Sequence, residues 1–391
     1  MTGDPLKILI ALQYYIPHRT GFTLHVQRVA EGLAARGHQV TVLTARYNPA
    51  LPRDEQVING VRVIRLWAPI RVTRGMIMPA YPWAALRLVQ MHDVVSLHTP
   101  TLETALYAVY TKLFRRGLVI THHGDLILPR GAFNRFVEWT TFQLYKAAGR
   151  AAHRILAYSK DYADNSYYIR PFRDKTSVVY PPIVTPPPNP QRVEELRAEW
   201  LSGTNGSARL IGYAGRFVEE KRPDILIQSL PYIHSKYPGS RIVFAGQYDI
   251  KYEGFYERNL PLINQYRDNL IFLGLLGDSQ SVSDFYAACD VLALPSDTEC
   301  FAMVQVEAMR CGTPVVATNI PGAREPIRVT GMGILVPPRD PQAMGEAIVQ
   351  VLDNRAEYVK PFPIIDAAFN FEETLNRYER HLRSAVEAAK R

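Results

Sequence analysis

The chain has 391 residues, 47% hydrophobic and 21% charged, which is too long for one ordinary domain and has the composition of a globular protein. No apolar run approaches the roughly 18–20 residues that span a bilayer, and Cys289, Cys300 and Cys311 form no CxxC, which argues against a disulfide framework or structural zinc and for a reducing, cytoplasmic setting. The net charge of +8 is unevenly divided: residues 1–183 carry 23 Lys and Arg against 11 Asp and Glu, and residues 184–391 carry 22 against 26, so the first half is expected to meet anionic partners, with no motif that favours nucleic acid.

The opening MTGDPLKILIALQYYIPH has too short an apolar core for a signal peptide and predicts a buried strand over 7–12. Apolar positions at helical spacing predict a helix over 23–37, stopped by Gly37, and 38–45 predicts the next strand. A strand, a helix and a strand in that order imply a parallel, doubly wound sheet. Apolar runs at 61–67, 93–99, 118–124 and 154–159 continue it. Residues 181–190 then hold six prolines, which neither continue a helix nor pair in a central strand, so they mark a stiff linker. Strands are predicted again at 209–215, 240–247, 269–274, 290–296 and 313–319, and an amphipathic helix at 369–390. The expected organisation is a doubly wound α/β domain over 1–183, another over 184–368 and a C-terminal helix over 369–391. Two such domains would leave a cleft where strand ends and helix N-termini meet a ligand.

Four stretches carry the side chains for such a ligand. In PSDTECFAMVQVEAMRCGTPVV (295–316) a helix is predicted from near Phe301 to before Gly312, with Glu299 ahead of it and Glu307 inside it. A helix start offers unpaired N–H groups to an anion, and carboxylates to either side can accept hydroxyl hydrogen bonds. A polyhydroxylated diphosphate fits that arrangement, although each acid alone reads equally as a helix-end or surface charge. YAGRFVEEKRPD (213–224) adds cations: Arg216 follows a strand that ends at Gly215, and Lys221 stands at a predicted helix start. Both suit phosphate oxygens, or else pair with Glu219 and Glu220 on the surface. THHGD (121–125) ends a strand, so His122 and His123 should point to opposite sides, and no third ligand is spaced for a metal. In QYYIPHRTGFTLHV (13–26) Gly21 follows Thr20. This is not GxGxxG, which argues against a dinucleotide oxidoreductase, but a glycine here lets backbone approach a phosphate or acceptor closely.

With these residues in place the chain resembles the retaining nucleotide-sugar glycosyltransferases of the GT-B fold, family 4, over nearly its whole length. The E-x7-E block of 295–327 carries most of the resemblance, supported by GRFVEEKRPDILIQSL (215–230), FLGLLGDSQSVSDFYAACDVLALPS (272–296) and GILVPPRDPQAMGEAI (333–348). The resemblance implies two Rossmann-like domains with the C-terminal helix crossing back to the first. It implies that Glu307 binds ribose hydroxyls and Glu299 the transferred sugar, with backbone N–H groups around Phe301, Ala302 and Met303 on sugar or phosphate. Arg216 and Lys221 would neutralise the leaving diphosphate, Gly215 would adjoin it, and Leu275 would lie by the base. His123, whose Gly-Asp follower matches the family pattern, would touch the donor sugar, and Gly21 the diphosphate or acceptor. Tyr15 and Asp125 are candidate acceptor contacts. Thr20-Gly21 and Phe301-Ala302-Met303 depart from the family's Gly-Gly and Phe-Gly-Leu, which narrows the donor pocket.

Charge then sets the chemistry: breaking the anomeric C–O bond leaves negative charge on the diphosphate, which cations and helix N–H groups stabilise. The resemblance implies net retention with no cofactor beyond the nucleotide-sugar donor and no metal, Glu299 serving recognition rather than as a nucleophile. The acceptor, a sugar, lipid or lipid-linked hydroxyl, falls to the basic first half. There 67–83 and 126–139 mix arginine with Trp, Phe, Ile and Met, expected either to lie in an anionic membrane interface or to be core and ordinary surface. Competing classes are a nucleotide-sugar epimerase, a pyridoxal phosphate-dependent phosphorylase (lysines are sparse in the second half) and a binding protein without turnover.

Overall fold

The computed structural model describes residues 4–72, 75–128, 131–250 and 253–391. It divides into two compact units, Met1–Pro182 with Phe371–Arg391, and Ile183–Asn370.

The first unit is built on strands β1 (Lys7–Ala11), β2 (Gln39–Arg46), β3 (Gln56–Ile58), β4 (Val61–Trp67), β7 (Val94–Thr99), β8 (Gly117–His122), β9 (Arg154–Ala157) and β10 (Thr176–Val178). Their order across the sheet is β10-β9-β8-β7-β1-β2-β4-β3, and every pair is parallel except β3–β4. β5 (Ile70–Val72) and β6 (Gly75–Ile77) form a separate hairpin. The central strands β7 and β8 are buried at every residue, as parallel strands covered on both faces must be. Helix α1 (Gly21–Ala35) begins two residues ahead of the expected start because Thr20 caps it: the Thr23 N–H donates to the Thr20 hydroxyl and the Thr20 N–H to that of Thr23. That reciprocal box satisfies two donors at the helix start. Thr20, read from sequence as a side chain that narrows a pocket, has its hydroxyl committed to this cap. Helices α2 (Tyr81–Met91), α3 (Thr104–Leu113) and α4 (Ala132–Ala151) follow.

The second unit has six parallel strands, β11 (Leu210–Ala214), β12 (Arg241–Ala245), β13 (Leu270–Gly274), β14 (Val291–Leu294), β15 (Val315–Thr318) and β16 (Gly333–Val336), in the order β13-β12-β11-β14-β15-β16. The order reverses direction at β11 and β14, and a doubly wound sheet binds ligands at the strand ends of such a switch point. Helix α5 (Met303–Arg310) follows β14. It starts later than expected because its N-cap, Ala302, has a left-handed, non-helical backbone; Phe301 ahead of it is buried against Phe369. Lys221 also departs from expectation. It ends a 3₁₀ turn, Glu219–Lys221, and the next helix starts at Pro223, the position where a missing N–H costs nothing.

Helix α6 (Phe371–Lys390) belongs to the first unit and packs on β8 and α1. Leu375, Tyr378, Leu382 and Ala385 line its buried face, a spacing of three to four residues. Among the described residues no helix is long and apolar enough to cross a membrane. Of the segments read as interfacial, Thr73, Arg74, Pro129 and Arg130 lie outside the described residues. Their neighbours Trp67, Ile70, Trp83, Phe133, Phe136 and Trp139 are exposed.

Candidate functional site

In the second unit the loops that follow β11 and β14 meet. The Asp297 N–H donates to the Glu220 carbonyl at 2.9 Å, which brings Lys221 to Glu299. The ammonium donates to Glu299 Oε1 at 2.6 Å, and Ser296 Oγ donates to the same oxygen at 2.9 Å. The pair is largely buried, 23% and 10% exposed by side chain. Burial works against the Lys221 charge, but Glu299 beside it outweighs burial and raises the ammonium pKa above its ordinary value. Of the two surface pairings weighed from sequence, one occurs: Arg216 pairs with Glu220 at 3.1 Å, whereas Lys221 takes Glu299 and Glu219 takes Arg258.

Close backbone contacts fix this loop. Gly322 has φ +82°, and a Cβ there would stand 2.4 Å from the Glu299 carbonyl oxygen, so only glycine fits. The Thr318 hydroxyl donates to the Ser296 carbonyl at 2.6 Å. The loop enters α5 through Ala302, which sits in the left-handed region at φ 59°, a conformation that costs an L-residue about 1–2 kcal/mol. Phe301 and Ala302 are buried as whole residues, backbone included. Glu307 lies four residues into α5, about 6 Å along its axis, and accepts from the buried Tyr286 hydroxyl at 3.3 Å. Gly215 follows β11, its N–H on the Ala245 carbonyl at 2.9 Å, and Arg216 follows it. Leu275 stands after β13 and is 58% exposed. All these groups sit at the carboxyl ends of the sheet.

In the first unit the β7–β8 register decides which histidine faces which way. His98 pairs with Thr121 and Thr99 with His122. Alternation then puts His123 on the His98 face and His122 on the other, as the sequence implied. His98 Nδ1 and His123 Nε2 are 2.7 Å apart, and His123 Nδ1 also contacts the Tyr158 hydroxyl. His25, from α1, packs edge-on against His123 and bonds the Tyr378 hydroxyl of α6 at 2.7 Å. Desolvation, then the neighbouring histidines, hold the His123 pKa well below the usual imidazole range, and burial takes His98 to about 3. All three rings are therefore neutral near pH 7. On the opposite face His122 bonds Thr99 at 3.1 Å and Asp125 at 2.9 Å.

Two acceptor candidates are committed to the protein itself. Tyr15 is 1% exposed and packed in the core of the first unit. Asp125 accepts from His122, from the Ser166 hydroxyl at 2.5 Å and from the Tyr167 N–H at 3.0 Å. These contacts outweigh burial and hold its carboxyl below the ordinary range. Gly21 is the exposed first residue of α1. His25, His98 and Tyr158 were not singled out from sequence. The signal available for His98 was its place two residues after Ser96 on a strand, one face shared. Among the described residues no three His, Cys, Asp or Glu side chains are grouped to hold a metal ion.

Residues 208–354 match the family described as Glycosyl transferases group 1, and residues 20–182 match the Glycosyl transferase 4-like domain. A D-inositol 3-phosphate glycosyltransferase of Xylanimonas cellulosilytica is 30% identical over 359 residues, 85% of this chain and 83% of that protein. The chain belongs to the group 1 glycosyltransferases. The glycosyltransferase MJ1607 of Methanocaldococcus jannaschii is 27% identical over 364 residues, 89% of this chain and 90% of that one. Among solved structures, Anabaena HepE in complex with UDP-glucose has a TM-score of 0.75 at 20% identity, covering 97% of this chain and 100% of that one. Sucrose-phosphate synthase from Thermosynechococcus elongatus has a TM-score of 0.74 at 20% identity, covering 98% and 100%. These likenesses establish the GT-B fold with two Rossmann-like domains, and the family matches make the chain a glycosyltransferase.

Proposed function

We propose that this glycosyltransferase moves a hexose, with retention and without a metal, from a UDP- or GDP-linked sugar to an acceptor hydroxyl. In this reading the C-terminal unit takes the donor and the N-terminal unit the acceptor. The observation that carries it is the Lys221–Glu299 pair at the foot of α5, with Glu307 farther along the same helix. A diphosphate at the opening amides of α5 would gain from the helix dipole and from Lys221 and Arg216. Glu307, oriented by Tyr286, would accept from the ribose hydroxyls. Glu299, fixed by Ser296 and Lys221, would accept from hydroxyls of the sugar, with the exposed Leu275 beside the base. His123 would touch the donor sugar. As the anomeric C–O bond breaks, its electron pair goes to the phosphate oxygen. That oxygen takes the proton of the acceptor hydroxyl as the hydroxyl attacks the same face. UDP is favoured by HepE, which was solved with UDP-glucose.

A panel of UDP-glucose, GDP-mannose and ADP-glucose tests the donor, because a ligand that binds the native state raises the melting temperature. A rise with one nucleotide and its sugar supports the reading, and no rise with any of the three at millimolar concentration removes it. Proton NMR of the product's anomeric centre tests retention, and an inverted product would refute it. Activity that EDTA abolishes would refute the metal-free step.

For the acceptor, the net basic charge of the first half and the exposed Trp67, Trp83, Phe133, Phe136 and Trp139 favour a lipid or lipid-linked hydroxyl, reached from an anionic membrane surface in glycolipid or glycan assembly. A second reading, a small phosphorylated polyol, draws on the same charge and on the Xylanimonas relative, which carries the name of an inositol phosphate enzyme. Co-sedimentation with anionic liposomes at low salt separates them: no binding leaves the small acceptor.

A further inference from the structure

In the first unit a cavity of about 330 Å³ lies between the β5–β6 hairpin and helices α2, α3 and α4. Its wall is apolar: Met76, Ile77 and Met78 come from the hairpin and the residue after it, Tyr81 from α2, Leu106 from α3 and Leu144 from α4. The volume is about twice the roughly 150 Å³ of an apolar cavity that takes a benzene ring, which leaves room for one alkyl chain. Ile77 is itself exposed, as are Ile70, its partner in the hairpin, and Trp83 in the first turn of α2. The cavity therefore opens at apolar surface.

Polar groups interrupt this wall at few points. The Tyr81 hydroxyl is already paired with that of Tyr107 at 2.7 Å, which leaves the Glu103 carboxylate. Glu103 stands at the N-cap of α3 but makes no capping hydrogen bond with its side chain, the use that position ordinarily has for a carboxylate. It meets Gln13 instead, whose Nε2 donates to Oε1 at 3.3 Å and to Oε2 at 3.2 Å, and the Thr101 hydroxyl donates to Oε2. Gln13 is fixed in turn, because its Oε1 accepts from the Met76 N–H at 2.9 Å. A carboxylate accepts at about four lone-pair sites, so Oε1, with one long bond from Gln13, has capacity for a donor in the cavity. Burial holds the Glu103 pKa above the ordinary carboxylate value, so the charge is costly where it stands. Gln13 and Glu103 follow β1 and β7, the paired strands at which the order of this sheet reverses. Ligands of a doubly wound sheet sit at the carboxyl ends of such strands.

We propose that this cavity binds a single-chain alcohol, the alkyl chain against the apolar wall and the hydroxyl donating to Glu103, and that it seats the acceptor. The inference rests on the reading of the acceptor as a lipid or lipid-linked hydroxyl. A carboxylate in this place accepts from a neutral hydroxyl and repels an anionic head of the same chain length. Alcohol and fatty acid are therefore the pair of probes that isolates its role.

The test uses the full chain, labelled with ¹³C-methyl methionine, as wild type, Glu103→Gln and Ala105→Phe, whose ring would fill the cavity. The probes are 1-decanol and decanoate at pH 8, and the Met76 and Met78 methyl shifts report occupancy without any donor. In the wild type decanol should move both resonances saturably, with decanoate at least about 10-fold weaker, and Ala105→Phe should show neither. In Glu103→Gln decanol should weaken about 3- to 10-fold, the difference between a charged and a neutral acceptor, while decanoate tightens. Opposite changes are what a merely structural Glu103 would not produce. Unmoved Met76 and Met78 resonances up to the solubility limit of decanol would overturn the proposal. So would a change of the same sign for both probes in Glu103→Gln. Should Ala105→Phe not fold, the signs in Glu103→Gln decide. The acceptor role has its own readout: decanol should raise nucleoside diphosphate release from UDP-glucose, GDP-mannose or ADP-glucose in wild type and not in Ala105→Phe. If decanol binds as described and release does not rise, the lipid-acceptor reading fails while the alcohol site stands.

Discussion

Removing Lys221 should unseat the second unit before it touches any ligand. At 2.6 Å two unit charges attract by about 6 kcal/mol at an effective dielectric of about 20. Desolvating an ammonium and a carboxylate costs several kcal/mol each, so most of that attraction is already offset in the intact protein. Lys221→Ala keeps the cost of burying Glu299 and discards the attraction. Breaking a fully buried pair in this way costs about 3–5 kcal/mol. Because the lysine is 23% exposed, water can partly replace it, and about 2–3 kcal/mol is the expected loss. For a unit of this size that is a fall of about 5–10 °C in melting temperature, read by calorimetry or circular dichroism. The Lys221→Met, Glu299→Leu double variant should recover much of it, since replacing a buried pair by apolar groups is often neutral. A double-mutant cycle isolates the pair term. If Lys221→Ala melts within about 1 °C of the parent, the pair is worth no more than a surface ion pair, and the reasoning fails. The diphosphate role is tested separately: the thermal shift given by UDP-glucose should shrink in Lys221→Ala beyond what the lowered starting temperature explains.

Ala302→Gly should raise the melting temperature of the second unit by about 2–3 °C, the relief of a left-handed alanine outweighing the entropy of a freer unfolded chain; a fall would mean that the Ala302 methyl packs usefully. Glu103 accepts from Gln13 at 3.2 Å and from the Thr101 hydroxyl, and burial holds its pKa above the ordinary carboxylate value. The folded state therefore favours the protonated form, and stability falls as pH rises from the unfolded pKa through the folded one. Glu103→Gln should gain on the parent from pH 4 to pH 8, measured as the urea midpoint difference, and a gap independent of pH would contradict the burial. Asp125 has the opposite sign: its depressed pKa contributes stability above the unfolded carboxylate pKa that is lost as pH falls through the folded one. Asp125→Asn should be clearly destabilising at pH 7 and nearly neutral at pH 2–3.

What the sequence made legible, and what it did not, follows from how local each cause is. The strands were readable because a parallel sheet covered on both faces demands apolar, β-branched runs, and β7 and β8 are such runs. The carboxylates and cations of the second unit were readable as types, since Glu299 and Lys221 are unexpected beside apolar segments unless something binds them. Their pairing was not readable, because it depends on two loops 78 positions apart being tied by one backbone bond from Asp297 to Glu220. Sequence proximity favoured Glu219 and Glu220 as partners for both cations, and the fold honours that only for Arg216. The histidine cluster shows the same limit. His122 and His123 divide between faces by strand alternation, a local rule, and the sequence sufficed. His98, His25 and Tyr158 reach His123 from β7, α1 and the segment after β9, so only the sheet order and the β7–β8 register reveal that they share one face. Asp125 carries the point furthest. A carboxylate one residue past HHG looked free to meet an acceptor, yet Ser166 and Tyr167, 41 and 42 positions on, occupy its oxygens. An acid in a motif is thus a candidate for ligand binding only after the fold has shown which of its lone pairs the protein itself has taken.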